Sequence, residues 1–263
     1  MIDQLAYDRY WEKGWLVVEG VFQPEEVERA AELATKIGFE ELNSAAHTGV
    51  DQSEDGQQAP RKIEQPFLKA PLFRQLILDP RIIDILKILV GQHPLLMSDQ
   101  IFMKPPHFGS AKPFHQDNAY FQCFPADDVI TSWIAMDDVD ASNGCLRYID
   151  GSHTSPLPHA PLPDDPNHWV PPESSIDRNK ESLALVCKGG VVFHHSQTLH
   201  TSHRNESDRW RRGYGGHWIT KSVRCEQIAE NMPDRDFDLL DAAYFHHDLY
   251  PKSLRIGNSS SAK

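Results

Sequence analysis

Phe114-His115-Gln116-Asp117 sets an imidazole and a carboxylate two residues apart inside an alternating apolar–polar run, Lys112–Asp117. In an extended chain such residues share a face, so His115 and Asp117 reach one ion from one strand. Two imidazoles and one carboxylate on one face of an octahedron suit Fe(II) and leave the opposite face open to ligands. His200 supplies the second imidazole, after the apolar strand Val191-Val192-Phe193 and a turn. His194 and His195 compete with it, and read as a strand end and a hydrogen-bonded turn. His203 falls on the opposite side of an extended chain from His200. A second His-x-Asp, His246-His247-Asp248, lies in the helical or irregular stretch Phe237–Tyr250 with no histidine after it.

Arg204, Arg209, Arg211 and Arg212 follow within nine residues and lead into a strand with Gly213, Gly215 and Gly216. Such a charge run is ordinarily solvated. A guanidinium inside a sheet instead needs a carboxylate, which it holds best in a bidentate pair. The distal carboxylate of 2-oxoglutarate would serve, and the glycines would leave it room. Strand parity favours Arg211, with Arg209 or Arg212 as the alternative.

Helices lead the chain. Ile2–Lys13 is amphipathic and stops at Gly14; Trp15–Val18 is a short strand. Pro24, Glu25 and Glu26 open a second helix that is expected to end at Gly38. Asp79 and Pro80 cap a third, closed by Gly91. Residues 41–62 are polar, Gln-rich and without periodicity, and read as a mobile surface loop. From Pro94 short strands dominate: Leu95–Lys104, Lys112–Asp117, Val129–Met136, Cys145–Ile149, Leu183–Cys187, Val191–His194 and Arg211–Val223. That pattern indicates a sandwich or barrel, here mainly β with a jelly-roll or cupin-like closure and an N-terminal helical layer. Asn143-Gly144 reads as a type I′ turn and Gly151-Ser152-His153 as another turn with a satisfied histidine. Residues 151–180 carry seven prolines and read as a disordered insert or a lid. The expected organisation is one domain over 1–251, with 41–62 and 151–180 as loops over the site and 252–263 as a flexible tail.

The chain has 263 residues and a formal net charge of -12. An acidic chain without basic runs disfavours duplex nucleic acid and anionic membranes as partners. A small-molecule substrate and a monomer or homodimer are expected. Cys123, Cys145, Cys187 and Cys225 form no C-x-x-C pair, which argues against a zinc ribbon, and free thiols in a cytoplasmic protein are expected. No apolar run approaches the roughly 20 residues of a membrane span.

These residues resemble the phytanoyl-CoA dioxygenase (PhyH) family. The resemblance runs from Tyr7 to Val223 through Phe114-His115-Gln116-Asp117, Trp133, Asn143-Gly144-Cys145-Leu146, Gly151-Ser152-His153, His200-Thr201-Ser202 and Arg211. Gly14-Trp15-Leu16-Val17-Val18 with Pro24-Glu25-Glu26-Val27 resembles the family's opening. It implies a double-stranded β-helix that uses Fe(2+), 2-oxoglutarate and O2, with His115, Asp117 and His200 as ligands. By position it implies that Arg211 and Ser202 hold the distal carboxylate, and that Trp133, Met97 and Lys62 line the cosubstrate pocket. Trp133 and Met97 taken alone read equally as core. Halogenating relatives lack the carboxylate ligand, so Asp117 implies hydroxylation of a C–H bond in a small-molecule or acyl substrate. The rival is a cupin-like metalloenzyme that does not use 2-oxoglutarate.

Overall fold

The computed structural model describes residues 1–44, 49–165 and 168–225. The proposed tail, the second His-x-Asp and the end of the expected domain lie outside these residues. The helical layer comprises α1 (Gln4–Lys13), β1 (Trp15–Val18), α2 (Pro24–Leu42), β2 (Val50–Gln52), β3 (Gln58–Pro60), β4 (Lys62–Glu64), α3 (Pro66–Lys69), α4 (Pro71–Ile77) and α5 (Pro80–Val90). The strand-rich half follows as β5 (Leu95–Lys104), β6 (Lys112–His115), α6 (Asn118–Phe121), β7 (Cys123–Phe124), β8 (Val129–Ala135) and β9 (Leu146–Ile149). It closes with β10 (Ala160–Pro161), β11 (Trp169–Val170), β12 (Glu181–Ala184), β13 (Val191–His195), β14 (His200–Ser202), β15 (Arg211–Ile219) and β16 (Arg224–Cys225).

Two antiparallel sheets carry the site. The larger has the order β1-β13-β8-β15-β5-β4 and the smaller β12-β9-β14-β6. Alternation along the strands assigns their faces. Ile101, Met103, Ile134, Phe193, Tyr214 and Trp218 point out from the larger sheet and pack against the helices through Val27, Ala30, Ala34, Phe73, Ile77, Ile82 and Leu86. Trp133, Ala135 and Val192 point the other way and meet Tyr148 and Ala184 of the smaller sheet. Trp15 stacks on Tyr148 at 4.8 Å, so the sheets form the two walls of one jelly roll.

Three sequence expectations change. α2 runs past Gly38 to Leu42. Gly38 is there for close approach: a Cβ would lie 2.8 Å from Pro60. The described residues of 41–62 are structured rather than an irregular loop. β2 and β3 form a hairpin, and β4 joins the larger sheet with Lys62 opposite Phe102. Cys123 and Cys225 are bonded where β7 pairs β16, which leaves Cys145 and Cys187 as free thiols.

Smaller points follow from the backbone. Asp79 and Gly91 cap α5 as expected, the carboxylate accepting from Arg81 N and the glycine lying at φ 68°. Asn143-Gly144 is not type I′, since Gly144 alone has positive φ. Asn143 instead holds the turn with its side chain, accepting from Asp140 N and donating to Asp138 O. Among the described residues no helix is long and apolar enough to cross a membrane.

Candidate active site

β6 ends at His115, which lies opposite His200 of β14 in register, the two rings 4.2 Å apart. Asp117 is not on the strand. Its backbone has turned to φ -56°, ψ -38° at the head of α6, and the turn rather than strand parity swings its carboxylate back. The ligand-type atoms of His115, Asp117 and His200 all lie within 4.8 Å of one another. His115 Nδ1 is 2.9 Å from Pro113 O and His200 Nδ1 is 2.8 Å from Thr198 O. A carbonyl only accepts, so both Nδ1 atoms carry the proton and both Nε2 lone pairs are free. Burial and the neighbouring His115 lower the His200 pKa, favouring the neutral, ligating form.

The third donor is prepared by its surroundings. Asp117 Oδ2 accepts from Thr131 Oγ1 at 2.9 Å and from His194 Nε2 at 3.0 Å. Oδ1 stays open, 3.5 Å from His115 Nε2 and 3.7 Å from His200 Nε2. Burial would raise the Asp117 pKa, but His200, His115 and His194 together hold it well below the usual carboxylate range. Two neutral imidazoles and one ionised carboxylate oxygen, buried and converging, fit a divalent iron. His194 is therefore neither a free competitor nor a plain strand end: it positions the carboxylate, and its own Nδ1 meets Tyr148 OH at 2.8 Å.

Gln116, between two candidate ligands, ties the local loops together. Its Nε2 donates to Gln197 O at 2.6 Å and Ser155 O at 3.1 Å, and its Oε1 accepts from Leu157 N at 2.8 Å. The described residues of 151–180 are thereby anchored, and carry short helical turns and the paired strands β10 and β11. Tyr120 OH accepts from Trp169 N at 2.9 Å, which brings His168 to the cavity wall.

The cavity between the sheets has a volume of about 480 Å³ and is lined by His115, Asp117, His200, Trp133, Ser202, Lys62 and Arg211, among others. Arg211 is 2% exposed, its guanidinium carbon 4.9 Å from the Trp133 ring centre. Its Nε has no hydrogen-bond partner, and no carboxylate among the described residues pairs with it. Burial pulls its pKa down to about 10, so it stays protonated at neutral pH. Gly213 makes room for the ring: a Cβ there would sit 1.8 Å from Trp133 Cζ2.

The alternative arginines are committed elsewhere. Arg212 points to the helical face and grips Asp137 through Nε at 2.9 Å and Nη2 at 2.6 Å. Arg209 is bound to Asp140 at 2.7 Å near the surface. Met97 is not brought to the cavity. β15 pairs His217 with Ser98 and Trp218 with Leu96, and Met97 is the unpaired residue of this bulge, re-aimed into a cluster with Cys123, Val129 and Ile219. His153 is not fully satisfied as expected: its Nε2 lies 3.1 Å from Trp11 O, but its buried Nδ1 has no hydrogen-bond partner. His195 bonds Asp127, and His203 is exposed. Sequence reasoning passed over Arg61, Lys104 and Lys112, which also line the cavity. The signal available for Lys104 was its parity with Phe102 on β5.

A model of the phytanoyl-CoA dioxygenase (PhyH) family matches residues 10–213. The peroxisomal phytanoyl-CoA dioxygenase of Bos taurus is 26% identical over 269 residues, covering 93% of this chain and 78% of that one. The structure of EctD from S. alaskensis with 2-oxoglutarate and 5-hydroxyectoine matches with a TM-score of 0.71 at 20% identity, over 86% of this chain and 78% of that chain. That of the epimerase SnoN with Fe3+, alpha ketoglutarate and nogalamycin RO matches with a TM-score of 0.66 at 22% identity, over 84% of this chain and 85% of that chain. At such identities the structural likeness speaks for the jelly-roll fold, while the family match speaks for the class of chemistry. The chain belongs to the phytanoyl-CoA dioxygenase (PhyH) family and is an oxygenase dependent on Fe(II), 2-oxoglutarate and O2.

Proposed function

We propose that His115, Asp117 and His200 hold the iron, that Arg211 holds the distal carboxylate of 2-oxoglutarate, and that the enzyme hydroxylates a C–H bond of a small-molecule or acyl substrate. The observation that carries this is Arg211: a buried cation with no carboxylate of its own, in the same cavity as three converging ligands. A buried unpaired charge is costly, and a dianionic cosubstrate relieves that cost.

The bound iron, with O2, supplies the oxidant as 2-oxoglutarate is converted to succinate and CO2. The chain's residues bind, orient and exclude water. Pro113 O and Thr198 O fix the ring orientation of the two histidines, and Thr131 with His194 occupies Asp117 Oδ2, which would leave Oδ1 to hold the iron. Trp133 supports the guanidinium face of Arg211, and Ser202, buried on β14, lies in the same wall. Lys62 is held by Glu64 at 2.6 Å beside the Phe102 ring, within reach of the same pocket.

The test is succinate formation from 2-oxoglutarate by the purified enzyme, with and without Fe(II) and O2. Succinate should form only when both are present, and Arg211→Ala should abolish it. Turnover of a substrate without 2-oxoglutarate, unaffected by Arg211→Ala, would favour a cupin-like metalloenzyme instead.

A further inference from the structure

The protein is strongly acidic, with 38 Asp and Glu against 26 Lys and Arg, yet its cavity is basic. Arg61, Lys62, Lys104, Lys112 and Arg211 line it, against Glu64 and Asp117. Partly buried cations elsewhere have carboxylates: Arg212 has Asp137, Arg147 has Glu181 and Lys13 has Asp150. Inside the cavity only Lys62 does, through Glu64. Lys104 donates to the Ser110 carbonyl. Arg61 and Lys112 have no carboxylate within ion-pair distance among the described residues.

The iron site and 2-oxoglutarate account for only part of this charge. Lys104 lies opposite Arg211 in the β5–β15 register, so those two basic side chains flank one carboxylate position, although burial, with Arg211 beside it, pulls the Lys104 pKa down to about 6. The other end of the cosubstrate belongs to the metal. Lys112 stands apart from that position. It projects from the start of β6, its ammonium 5.3 Å from the centre of the Tyr120 ring, and that ring lies 5.9 Å from the His115 ring. Lys112 therefore sits on the metal's side of the cavity, beneath the segment that carries His168. Asp165, the nearest acid on that segment, is engaged by His168 at 3.1 Å. Burial, with Lys62 and Arg61 as like charges, pulls the Lys112 pKa down to about 8. A cation held this way gains when an anion arrives.

We propose that Arg61 and Lys112 anchor an anionic group of the substrate itself, making the substrate a compact small molecule with a carboxylate or phosphoryl-type oxyanion inside the cavity. The assignment rests on the iron and 2-oxoglutarate placement above. It is narrower than that placement, because the charge it recognises lies within a cavity of about 480 Å³ that also takes the cosubstrate. A planar guanidinium from the β3–β4 link and an ammonium from β6 together fix both position and orientation of such a group.

The experiment uses the full chain, loaded anaerobically with Fe(II) and saturating 2-oxoglutarate, titrated with butanoate, methylphosphonate and the neutral butanamide. Heat of binding and the visible band of the iron-chelated keto acid are read together. At least one anion should bind saturably with 2-oxoglutarate still in place, and butanamide should not. The tighter anion identifies a carboxylate or a phosphoryl group as the natural one. Lys112→Met and Arg61→Met should each weaken that binding about tenfold or more while leaving the band intact, and Lys112→Arg should restore most of it. No saturable binding of either anion, or binding unchanged in both Met variants, would overturn the anchor and leave the iron and cosubstrate reading standing. Absence of the band in the wild-type protein would instead strike the reading beneath it.

Discussion

His194 Nε2 lies 3.0 Å from Asp117 Oδ2, and His194 Nδ1 lies 2.8 Å from Tyr148 OH. An ionised carboxylate only accepts, so the Nε2–H donates to Asp117 and Nδ1 accepts from the tyrosine. The relay runs from β9 through β13 to the head of α6 and holds Asp117 Oδ2, leaving Oδ1 toward the two imidazoles. Partners of this kind are typically worth 10–100-fold in metal affinity. His194→Leu should therefore weaken Fe(II) binding by about 10-fold or more, and Tyr148→Phe by less. Competition against a chromophoric chelator measures both. Unchanged affinity in His194→Leu would mean that the relay does not position the ligand.

Gly213 and Trp133 make a second, steric prediction. The ring occupies the place of a residue-213 Cβ, so Gly213→Ala must displace Trp133 and with it the support under Arg211. Overpacking of this sort costs about 1–3 kcal/mol. The thermal midpoint should drop and the 2-oxoglutarate dissociation constant should rise about tenfold, read by melting and by titration of the loaded protein. A variant with wild-type values in both would show that the ring is not fixed by this contact.

Arg211 and Arg212 are adjacent and should fail differently. Arg211→Met removes an unpaired buried cation, so the fold should survive while 2-oxoglutarate affinity falls about 100-fold or more, in line with the loss of a charge-assisted bidentate pair. Arg212→Ala strands Asp137 against α2 and should cost about 3–5 kcal/mol of stability. Urea unfolding alongside 2-oxoglutarate titration separates the two. Matching loss of cosubstrate affinity in both would contradict the parity argument.

His195 sets an acid limit on the metal-free protein. Its Nδ1 accepts from Gln197 N at 3.0 Å and its Nε2 meets Asp127 at 3.1 Å. A second proton would land on Nδ1, against an N–H. Burial lowers its folded pKa to about 4, below the roughly 6.5 of an unfolded histidine. Between these values the unfolded chain binds more protons, so stability is full above about pH 6.5 and declines as pH falls toward about 4. His195→Asn should flatten that decline in urea midpoints measured across the range. An equal decline in the variant would assign it to other groups.

Much of this was legible in the sequence, where local chemistry and global fold agree. Leu95–Lys104 was read with the bounds it has, and the Asp79-Pro80 and Gly91 ends of α5 follow from capping rules that need no tertiary information. His115, Asp117 and His200 do converge, though not by the route the sequence suggested. Strand parity was the stated cause, but Asp117 lies in a helical turn. Other failures have long-range causes. Gly38 looked like a stop because the packing of Pro60 on it depends on a hairpin more than 20 residues on. Met97 looked like a pocket residue because a bulge leaves no periodicity signal. The basic cavity was invisible because Arg61, Lys104 and Lys112 come from the β3–β4 link, β5 and β6 in an acidic chain.

The central claim is that one cavity holds both the iron and 2-oxoglutarate, and anaerobic titration of the Fe(II)-loaded protein with 2-oxoglutarate tests it most directly. A weak visible charge-transfer band of the chelated keto acid should grow to saturation, vanish in His115→Ala, and need far more 2-oxoglutarate in Arg211→Met. Iron that binds without giving the band, or a band indifferent to both substitutions, would contradict the assignment.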